Sequence, residues 1–293
     1  MITSPTKKVS VIIPNYNYGQ YIKKRIKSIL KQTYPIYELI ILDDNSTDNS
    51  IKVIESQIKE IKKIKPDLKI CFIKNDKNSG KAMKQWKKGF ELAKGDFIWI
   101  AEADDLSNKK FLEEVMKGFR DENVLISYTE SKIINKNGFM IAPNFRWSRD
   151  KEKTDHFKKS YIKDGKKEIQ EIMAIRCTIP NVSSAVFQNN KTIPYDKYLT
   201  ESLDFIQVGD WYFYVKILEN GKISYNKKAL NKFRVHGDSV TNNSKKNQEN
   251  LKEVKWIHEF FKKNFDLNKR TLKYMKNEEN RIKNKYGIIE TDK

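Results

Sequence analysis

The sequence predicts an α/β fold in which a mostly parallel sheet is flanked by helices and followed by a helical C-terminal extension. Short apolar runs alternate with longer amphipathic segments through the first hundred residues, and each run ends in a polar loop or at a proline. Such alternation is typical of consecutive β-α-β units, in which right-handed crossovers cover both faces of a parallel sheet.

The first β-α unit begins with the mostly apolar run at residues 9–13, which Pro14 ends. A run of this kind is typical of a buried parallel strand. Isoleucine and leucine then recur at helical spacing up to Gln32. This spacing predicts a helix that Asn17 caps and that Pro35 prevents from continuing.

Three further strands are predicted at residues 39–42, 70–73 and 97–101, and an amphipathic, lysine-rich segment precedes each of the last two. Ser46 or Asp48 is suited to cap the first of these two helices, because both side chains accept hydrogen bonds from backbone N–H groups. The order of elements in this half is therefore βαβαβαβ.

Three polar loops follow predicted strands directly, at residues 14–17, 43–46 and 102–105. In an open α/β sheet, ligands bind beyond the carboxyl ends of the strands. We therefore expect these loops to lie on one edge of the sheet and to form one site.

Two of these loops carry adjacent carboxylates, Asp43 with Asp44 and Asp104 with Asp105. Neighbouring carboxylates repel each other unless a cation or a hydrogen-bonding ligand offsets the repulsion. Hard oxygen ligands favour Mg²⁺ or Mn²⁺, which also binds diphosphates. Either pair alone is also compatible with capping of the next helix, but two pairs at two strand ends favour a ligand site.

Past Asn108 the pattern is looser, and the region from 135 to 167 predicts no regular structure. The elements predicted beyond Asn108 are a helix to about residue 119, strands at 124–128 and 185–187, helices at 169–175 and 210–218, and a lysine-rich helix from residue 243 onward.

The chain of 293 residues has a formal net charge of +20. Such an excess attracts nucleic acid, acidic lipid and nucleotide diphosphates alike, so the charge does not choose among them. Arginine is scarce, which weakens a nucleic-acid interpretation because its guanidinium is the preferred phosphodiester ligand. Only Cys71 and Cys177 occur, and neither a signal peptide nor a run of about 18 apolar residues is present, so we expect a cytoplasmic protein.

Together these segments resemble the family-two inverting glycosyltransferases, whose Rossmann-like fold is the nucleotide-diphospho-sugar transferase fold of type A. The resemblance is dense from about residue 8 to 128 and thinner to about residue 241. The matching segments are 9–17 (opening strand), 28–34 (end of the next helix), 42–48 (base-binding motif), 102–105 (metal motif), 208–211 (catalytic-base motif) and 233–241 (C-terminal histidine segment).

The resemblance implies that several residues bind the nucleotide. Pro14, Tyr16 and Asn17 would line it, and Asp44 would accept a hydrogen bond from the base. Lys81 would contact the diphosphate, although a surface lysine without a role fits the sequence equally well.

The same resemblance implies a metal site that holds Mn²⁺ or Mg²⁺. Asp104 would contact the ribose, Asp105 would bind the metal, and His236 would complete the metal shell. A purely structural His236 stays an alternative. Glu102 stands where the family more often has aspartate, so the resemblance does not assign it a contact with the nucleotide.

Asp210 matches the family's catalytic base, an aspartate at the start of a helix. A carboxylate within hydrogen-bond reach of the acceptor hydroxyl takes its proton as the hydroxyl attacks. Asp210 is otherwise suited only to cap the helix.

The predicted function is therefore inverting transfer of a sugar from a nucleotide-diphospho-sugar, most simply a UDP-sugar, to a hydroxyl of a glycan or glycolipid acceptor. The family resemblance suggests capsule, O-antigen or lipooligosaccharide synthesis as the setting. Two alternatives stay open. A nucleotidyltransferase of similar fold normally has a glycine-rich phosphate loop after the first strand, and a basic nucleic-acid-binding protein is supported by charge alone.

The predicted organisation is a catalytic domain at residues 1–242 and a basic helical extension at 243–293. Within the catalytic domain, residues 8–128 would bind the nucleotide and residues 129–242 the acceptor. Trp256 and its aromatic neighbours among the lysines of the extension suit either a peripheral contact with anionic membrane or a solvated helix packed on the core. The second interpretation is slightly favoured.

Overall fold

A computed structural model of the chain describes residues 7–145, 155–237 and 245–287, with only the backbone described for 245–248. The predicted β-α alternation of the first hundred residues is confirmed. The four strands are β1 (Val9–Asn15), β2 (Glu38–Asp43), β3 (Lys69–Lys74) and β4 (Phe97–Ile100), joined by α1 (Gly19–Leu30), α2 (Ser50–Ile64) and α3 (Ala82–Leu92). They pair in parallel in the order β3-β2-β1-β4.

The second half of the chain extends the same sheet with strands of both directions. Strand β9 is antiparallel to β4 and to β6, whereas β10 is parallel to β6. The elements are β5 (Leu106–Ser107), α4 (Phe111–Met116), β6 (Val124–Ile134), β7 (Met140–Ala142), β8 (Tyr161–Asp164), α5 (Gly165–Glu168), β9 (Ala185–Gln188), α6 (Tyr195–Ser202), α7 (Gly209–Leu218), β10 (Lys222–Arg234), α8 (Lys245–Asn264) and α9 (Lys269–Tyr286).

The described residues thus form a ten-stranded sheet in the order β3-β2-β1-β4-β9-β6-β10-β5, with β7 paired to β6 and β8 paired to β10. The α/β fold class is confirmed, and the sheet is parallel in its first half and mixed beyond it. The C-terminal extension contains two helices rather than one.

Several details differ from the sequence predictions. The region 135–167, for which no regular structure was predicted, contains strands β7 and β8. The N-cap of α2 is Asn49 rather than Ser46 or Asp48.

The segment predicted as a helix at 169–175 is a π-helical turn, Ile169–Met173. Strand β10 was not predicted as an element, because its central residues are polar and its pairing with β6 shifts register there. Asn17 does not cap α1: it has a left-handed backbone, with φ of 56°, and its side-chain oxygen accepts a hydrogen bond from Thr47 N at 2.8 Å.

Both faces of the sheet are buried, as expected for its continuous apolar strands. On β1, Val11 and Ile13 face the cluster beneath α1, α2 and α4, while Ile12 faces a second cluster on the other side. The second cluster includes residues of α3, α6 and α7 and also Ile257 and Met275 of the extension. The two C-terminal helices therefore share the hydrophobic core of α7.

In the parts of the chain that the structure covers, no helix has the length and apolar character needed to cross a membrane. No disulfide joins Cys71 to Cys177.

The close packing of α3 on β1 yields a first prediction, at Gly89. A Cβ atom added there would lie 2.6 Å from Cγ2 and 2.7 Å from Cδ1 of Ile12, which is fully buried. We expect Gly89→Ala to lower the free energy of unfolding by about 1–3 kcal/mol through overpacking. Chemical denaturation followed by circular dichroism measures the change.

Glu91→Ala is the control, because this side chain is half exposed on the same helix. Its effect should stay within about 0.5 kcal/mol. In an unconstrained helix, replacement of glycine by alanine stabilises by up to about 1 kcal/mol, so a stabilised Gly89→Ala protein would contradict the packing argument.

Candidate active site

A cleft of about 530 Å³ opens at the carboxyl ends of β1 and β2, beside the first turn of α3. The five residues predicted to contact the base and diphosphate all line it. These residues are Pro14, Tyr16, Asn17, Asp44 and Lys81. Three segments far apart in the sequence therefore form one concave surface. Of the third predicted loop, residues 102–105, Glu102 lines the cleft, whereas Asp104 and Asp105 do not.

Hydrogen bonds join the loops after β1 and β2. Ser46 Oγ accepts a hydrogen bond from Asn17 N at 2.9 Å. Asp43 is fully buried, and its carboxylate accepts from the amide of Asn15 at 2.7 Å and from Ser46 Oγ at 2.7 Å. Asp43 is therefore a structural residue that holds the two loops together.

Asp44 has a different environment at the wall of the cleft, where it is 5% exposed. Its carboxylate accepts hydrogen bonds from Asn75 Nδ2 at 2.7 Å, Ser79 Oγ at 2.7 Å and Gln85 Nε2 at 2.8 Å. Donors to the ionised form stabilise the negative charge and fix the side chain. The sequence did not single out these three donors, although a buried glutamine within a helix is a signal of this kind.

The next residue of α3, Trp86, holds a second acid of the cleft. Its indole Nε1 donates to Glu102 Oε1 at 2.8 Å, and Glu102 N donates to Ser183 Oγ at 3.0 Å. Burial, and after it the charge of Asp104, raises the pKa of Glu102 to about 8. Consecutive residues of one helix thus position two acidic side chains of the cleft.

Asp104 and His236 lie together although they are 132 residues apart in sequence, with 3.0 Å between Oδ2 and Nε2. The rings of Tyr18 and Tyr21 flank the imidazole, with centroid distances of 5.6 and 5.5 Å. Arg234 Nε donates to the backbone oxygen of Asp104 at 2.6 Å, which ties the end of β10 to this loop.

Asp105 is only 1% exposed and lies behind this pair. Its Oδ1 accepts from Arg234 N at 2.9 Å and its Oδ2 accepts from Asn181 Nδ2 at 2.9 Å. Burial, and after it the charge of Asp104, raises the pKa of Asp105 to about 7, while the charge of Arg25 opposes the rise. Both carboxylate oxygens thus have protein donors, and the geometry favours Asp104 over Asp105 as the side chain offered to a ligand.

A fully buried arginine, Arg25 of α1, lies beneath the acidic loop. Its Nη1 donates to Ser107 Oγ at 2.8 Å, and its guanidinium lies 4.9 Å from the ring centroid of Trp99. Burial lowers its pKa to about 10, while the charges of Asp105 and Asp104 oppose the change, so Arg25 stays cationic at neutral pH. The signal missed in the sequence is a charged residue on the apolar face of an amphipathic helix.

Asp210 lies in the first turn of α7, and its Oδ1 accepts from Trp211 N at 2.7 Å. Burial raises its pKa to about 6. Tyr214 lies one turn further along α7. Burial is the main cause that raises the pKa of its hydroxyl, and the charges of Asp210 and Glu102 raise this pKa further. Asp210 and Glu102 thus both lie within electrostatic range of Tyr214, and Asp210 does not line the 530 Å³ volume.

Asp104 and His236 form a pair of candidate metal ligands. Within the described residues, no three His, Cys, Asp or Glu side chains are grouped to hold an ion. A carboxylate oxygen and an imidazole nitrogen 3.0 Å apart are nevertheless donors that Mn²⁺ accepts. These two side chains therefore fit a divalent ion only as part of its ligand shell.

A cleft at the carboxyl edge of a parallel β-α sheet is where proteins of this architecture bind their ligands. The chain belongs to glycosyl transferase family 2, whose family model matches residues 10–177. The family that the sequence predicted is thereby confirmed.

Curated relatives are similar over part of their length. The glycosyltransferase GlyG of Streptococcus pneumoniae is 30% identical over 115 residues, which are 39% of this chain and 36% of GlyG. The poly(ribitol-phosphate) beta-N-acetylglucosaminyltransferase TarP of Staphylococcus aureus is 35% identical over 40% of this chain and 34% of TarP. WfgD of Escherichia coli, a UDP-Glc:alpha-D-GlcNAc-diphosphoundecaprenol beta-1,3-glucosyltransferase, is 33% identical over 46% of this chain and 51% of WfgD. The match therefore spans between about a third and a half of these relatives.

Solved structures share the fold over most of the chain. Residues 1–349 of S. aureus TarS in complex with UDP-GlcNAc superpose with a TM-score of 0.66 at 19% identity, over 94% of this chain and 73% of that one. The mannosyltransferase PcManGT of Pyrobaculum calidifontis, in complex with GDP-Man and Mn²⁺, superposes with a TM-score of 0.61 at 15% identity, over 95% of this chain and 70% of that one. At these identities the likeness confirms the fold alone.

The hydrogen bond between Trp86 and Glu102 yields a second prediction. Trp86→Phe removes the indole donor but keeps an aromatic ring in the core, which leaves a buried acid without this partner. Because a hydrogen bond to a charged group contributes about 1.5–3 kcal/mol, we expect the free energy of unfolding at pH 9 to fall by about this amount. Urea denaturation at that pH, where Glu102 is ionised, measures the loss.

Trp256→Phe is the matched control, because Trp256 is 46% exposed. It should change stability by no more than about 0.5 kcal/mol. Equal effects of the two substitutions would contradict a specific role for the indole N–H of Trp86.

Proposed function

We propose that this chain transfers a glycosyl group from a nucleotide-diphospho-sugar to an acceptor hydroxyl, with inversion at the anomeric carbon, and that Asp210 is the base. Three observations support the proposal: a cleft at the carboxyl ends of β1 and β2, the contact between Asp104 and His236, and the partly buried Asp210 with its raised pKa. The acceptor hydroxyl attacks the anomeric carbon, its proton passes to Asp210, and the nucleoside diphosphate leaves.

The nucleotide is proposed to occupy the cleft between Tyr16 and Asp44. Tyr16 is 44% exposed, so its ring is available to stack on a base, and the fixed carboxylate of Asp44 is suited to accept a base N–H. The diphosphate would lie toward Gly80 and Lys81 at the first turn of α3, because free N–H groups and the helix dipole attract anions there. Lys81 is oriented by a hydrogen bond to the backbone oxygen of Leu203.

Asp104 and His236 would hold a divalent cation, Mn²⁺ or Mg²⁺. Such an ion supplies positive charge that stabilises the departing diphosphate. In this proposal Asp105 supports the loop from behind, through Arg234 N and Asn181. The sequence prediction that Asp105 itself binds the metal stays as the competing assignment.

The raised pKa of Asp210 suits this residue to proton transfer. Its raised pKa of about 6 keeps it ionised at neutral pH, yet more basic than an ordinary aspartate. A base of this strength works near its own pKa, where it is both deprotonated and able to accept a proton. One carboxylate base is sufficient for a single displacement.

A UDP-sugar is the proposed donor and a surface glycan or glycolipid the proposed acceptor. The names of TarP and WfgD describe transfer of N-acetylglucosamine to poly(ribitol-phosphate) and of glucose from UDP-Glc to a diphosphoundecaprenol-linked sugar. TarS was solved with UDP-GlcNAc. In this proposal residues 1–242 supply the catalytic site and residues 243–293 pack on it.

The role of Asp210 is tested by Asp210→Asn. The donor is first chosen by thermal-shift screening of UDP-, GDP- and dTDP-sugars with and without Mn²⁺. Release of nucleoside diphosphate from that donor, with water as acceptor, should then fall by about 10²–10⁴-fold, while nucleotide affinity measured by calorimetry stays unchanged. Asp204→Asn, at an exposed position six residues earlier, should keep full turnover.

The pH dependence is a second measure of the same prediction. Because the pKa of Asp210 is raised to about 6 and the base acts deprotonated, wild-type turnover should rise with pH through about 6 and be lost below it. Retained turnover in Asp210→Asn, with the acid limb intact, would overturn the assignment.

The metal assignment is tested by comparing Asp104→Asn with Asp105→Asn. UDP affinity is measured by calorimetry with and without Mn²⁺. Asp104→Asn should abolish the gain in affinity that Mn²⁺ gives, because it removes a charged ligand, and His236→Ala should weaken the gain. Asp105→Asn should lower the stability of the protein but keep the gain, and the opposite pattern would assign the metal to Asp105.

A further inference from the structure

The segment directly before α7 is held by a single carboxylate of the C-terminal extension, Glu253 of α8. Three consecutive backbone N–H groups donate to it. Ile206 N lies 2.8 Å from Oε1, Gln207 N lies 2.7 Å from Oε2, and Val208 N lies 3.1 Å from Oε2. Hydrogen bonds to an ionised acceptor are roughly twice as strong as neutral ones, so this is a strong local attachment.

The attachment reaches Asp210 through a short and tightly packed stretch of backbone. Val208 is buried, and its carbonyl oxygen accepts from Tyr212 N at 2.9 Å in the first turn of α7. A Cβ atom at Gly209 would lie 2.7 Å from the backbone oxygen of Ser202 and 2.8 Å from Met83 Sδ. A shift of Val208 would therefore move the start of α7, and with it the carboxylate two residues further on.

Glu253 is itself held firmly by α8. Its neighbours Leu251, Val254 and Ile257 are buried in the cluster that also contains Trp211 of α7. Next to the attachment, the ring of Phe205 lies 4.6 Å from that of Trp256. The loop is therefore fixed to α8 by polar bonds on its backbone and by an aromatic contact at its start.

We propose that Glu253 is a positioning residue for Asp210, so that the C-terminal extension forms part of the catalytic apparatus. The proposal rests on the proposed role of Asp210 as base. Glu253 lies outside residues 10–177, which match the family model. Catalysis by a base depends on its distance and direction to the proton, which is what the attachment controls.

The experiment compares Glu253→Ala and Glu253→Gln with Glu259→Ala in the full chain. Glu259 lies on the same helix, is 71% exposed and pairs only with Lys262 in the bonds described. Loss of the carboxylate should lower kcat by about 10–100-fold, as for a displacement of the base by about 1 Å, while UDP affinity stays within about twofold of wild type. Glu253→Gln, whose amide oxygen still accepts from the loop, should give an intermediate kcat, and Glu259→Ala should match wild type.

Hydrogen exchange provides a readout that does not depend on catalysis. The amides of Ile206, Gln207 and Val208 should exchange faster in Glu253→Ala, while the amides of β1 keep their protection. Unchanged kcat despite faster exchange would overturn the proposal. So would a fall in UDP affinity equal to the fall in kcat, because that pattern indicates general loss of structure.

If Glu253→Ala does not fold, Glu253→Gln alone decides: a kcat equal to that of wild type overturns the proposal, and a reduced kcat with unchanged UDP affinity supports it. Asp210→Asn separates the two hypotheses. Retained turnover in Asp210→Asn refutes the base assignment itself. A dead Asp210→Asn protein together with full kcat in both Glu253 variants refutes only the positioning role.

Discussion

The structure of the site depends on keeping three carboxylates, Glu102, Asp104 and Asp105, close together at the end of a buried strand. Burial and the charge of Asp104 both disfavour the ionised forms of Glu102 and Asp105 and raise the pKa of each. The chain offsets this with the cationic Arg25 beneath the loop. Nε and Nη2 of Arg25 make no hydrogen bond within the described residues, so its charge is not neutralised by a closer acid. The acidic charge of the loop is thereby only partly offset, so the binding of a further cation or anion would strongly change the protonation of these carboxylates.

The two acidic pairs share one design, in which one carboxylate supports the loop and its neighbour faces the ligand side. Asp43 binds the loops together, while Asp44 lines the cleft. Asp105 is enclosed by donors, while Asp104 meets His236. A buried carboxylate that accepts several hydrogen bonds makes a rigid anchor, and the adjacent residue then projects in a defined direction.

Features of the fold and the site could be predicted from the sequence where they depend on residues close together in the chain, and not where they depend on distant ones. The strands, helices and acidic loops of the first hundred residues depend on local periodicity, and they were predicted correctly. Which acid of a pair faces the cleft depends on distant partners. Asn181 approaches Asp105 from 76 residues away, and Arg25 reaches Ser107 from 82 residues away. Strand β10 escaped prediction because its polar middle is stabilised by pairing with β6 and β5 rather than by its own pattern.

The same reasoning applies to the C-terminal helices, whose lysine-rich sequence suited either a contact with anionic membrane or a solvated helix packed on the core. Their buried side chains complete the core that carries α7, in line with the second interpretation, and Glu253 binds the backbone that leads into α7. A helix beginning at an exposed loop could shift along its axis with little change in buried area, because hydrophobic packing is weakly directional. Hydrogen bonds to a fixed carboxylate are directional. The hydrophobic core alone does not fix the position of the first turn of α7. The carboxylate of the extension does so, and with it fixes the position of Asp210.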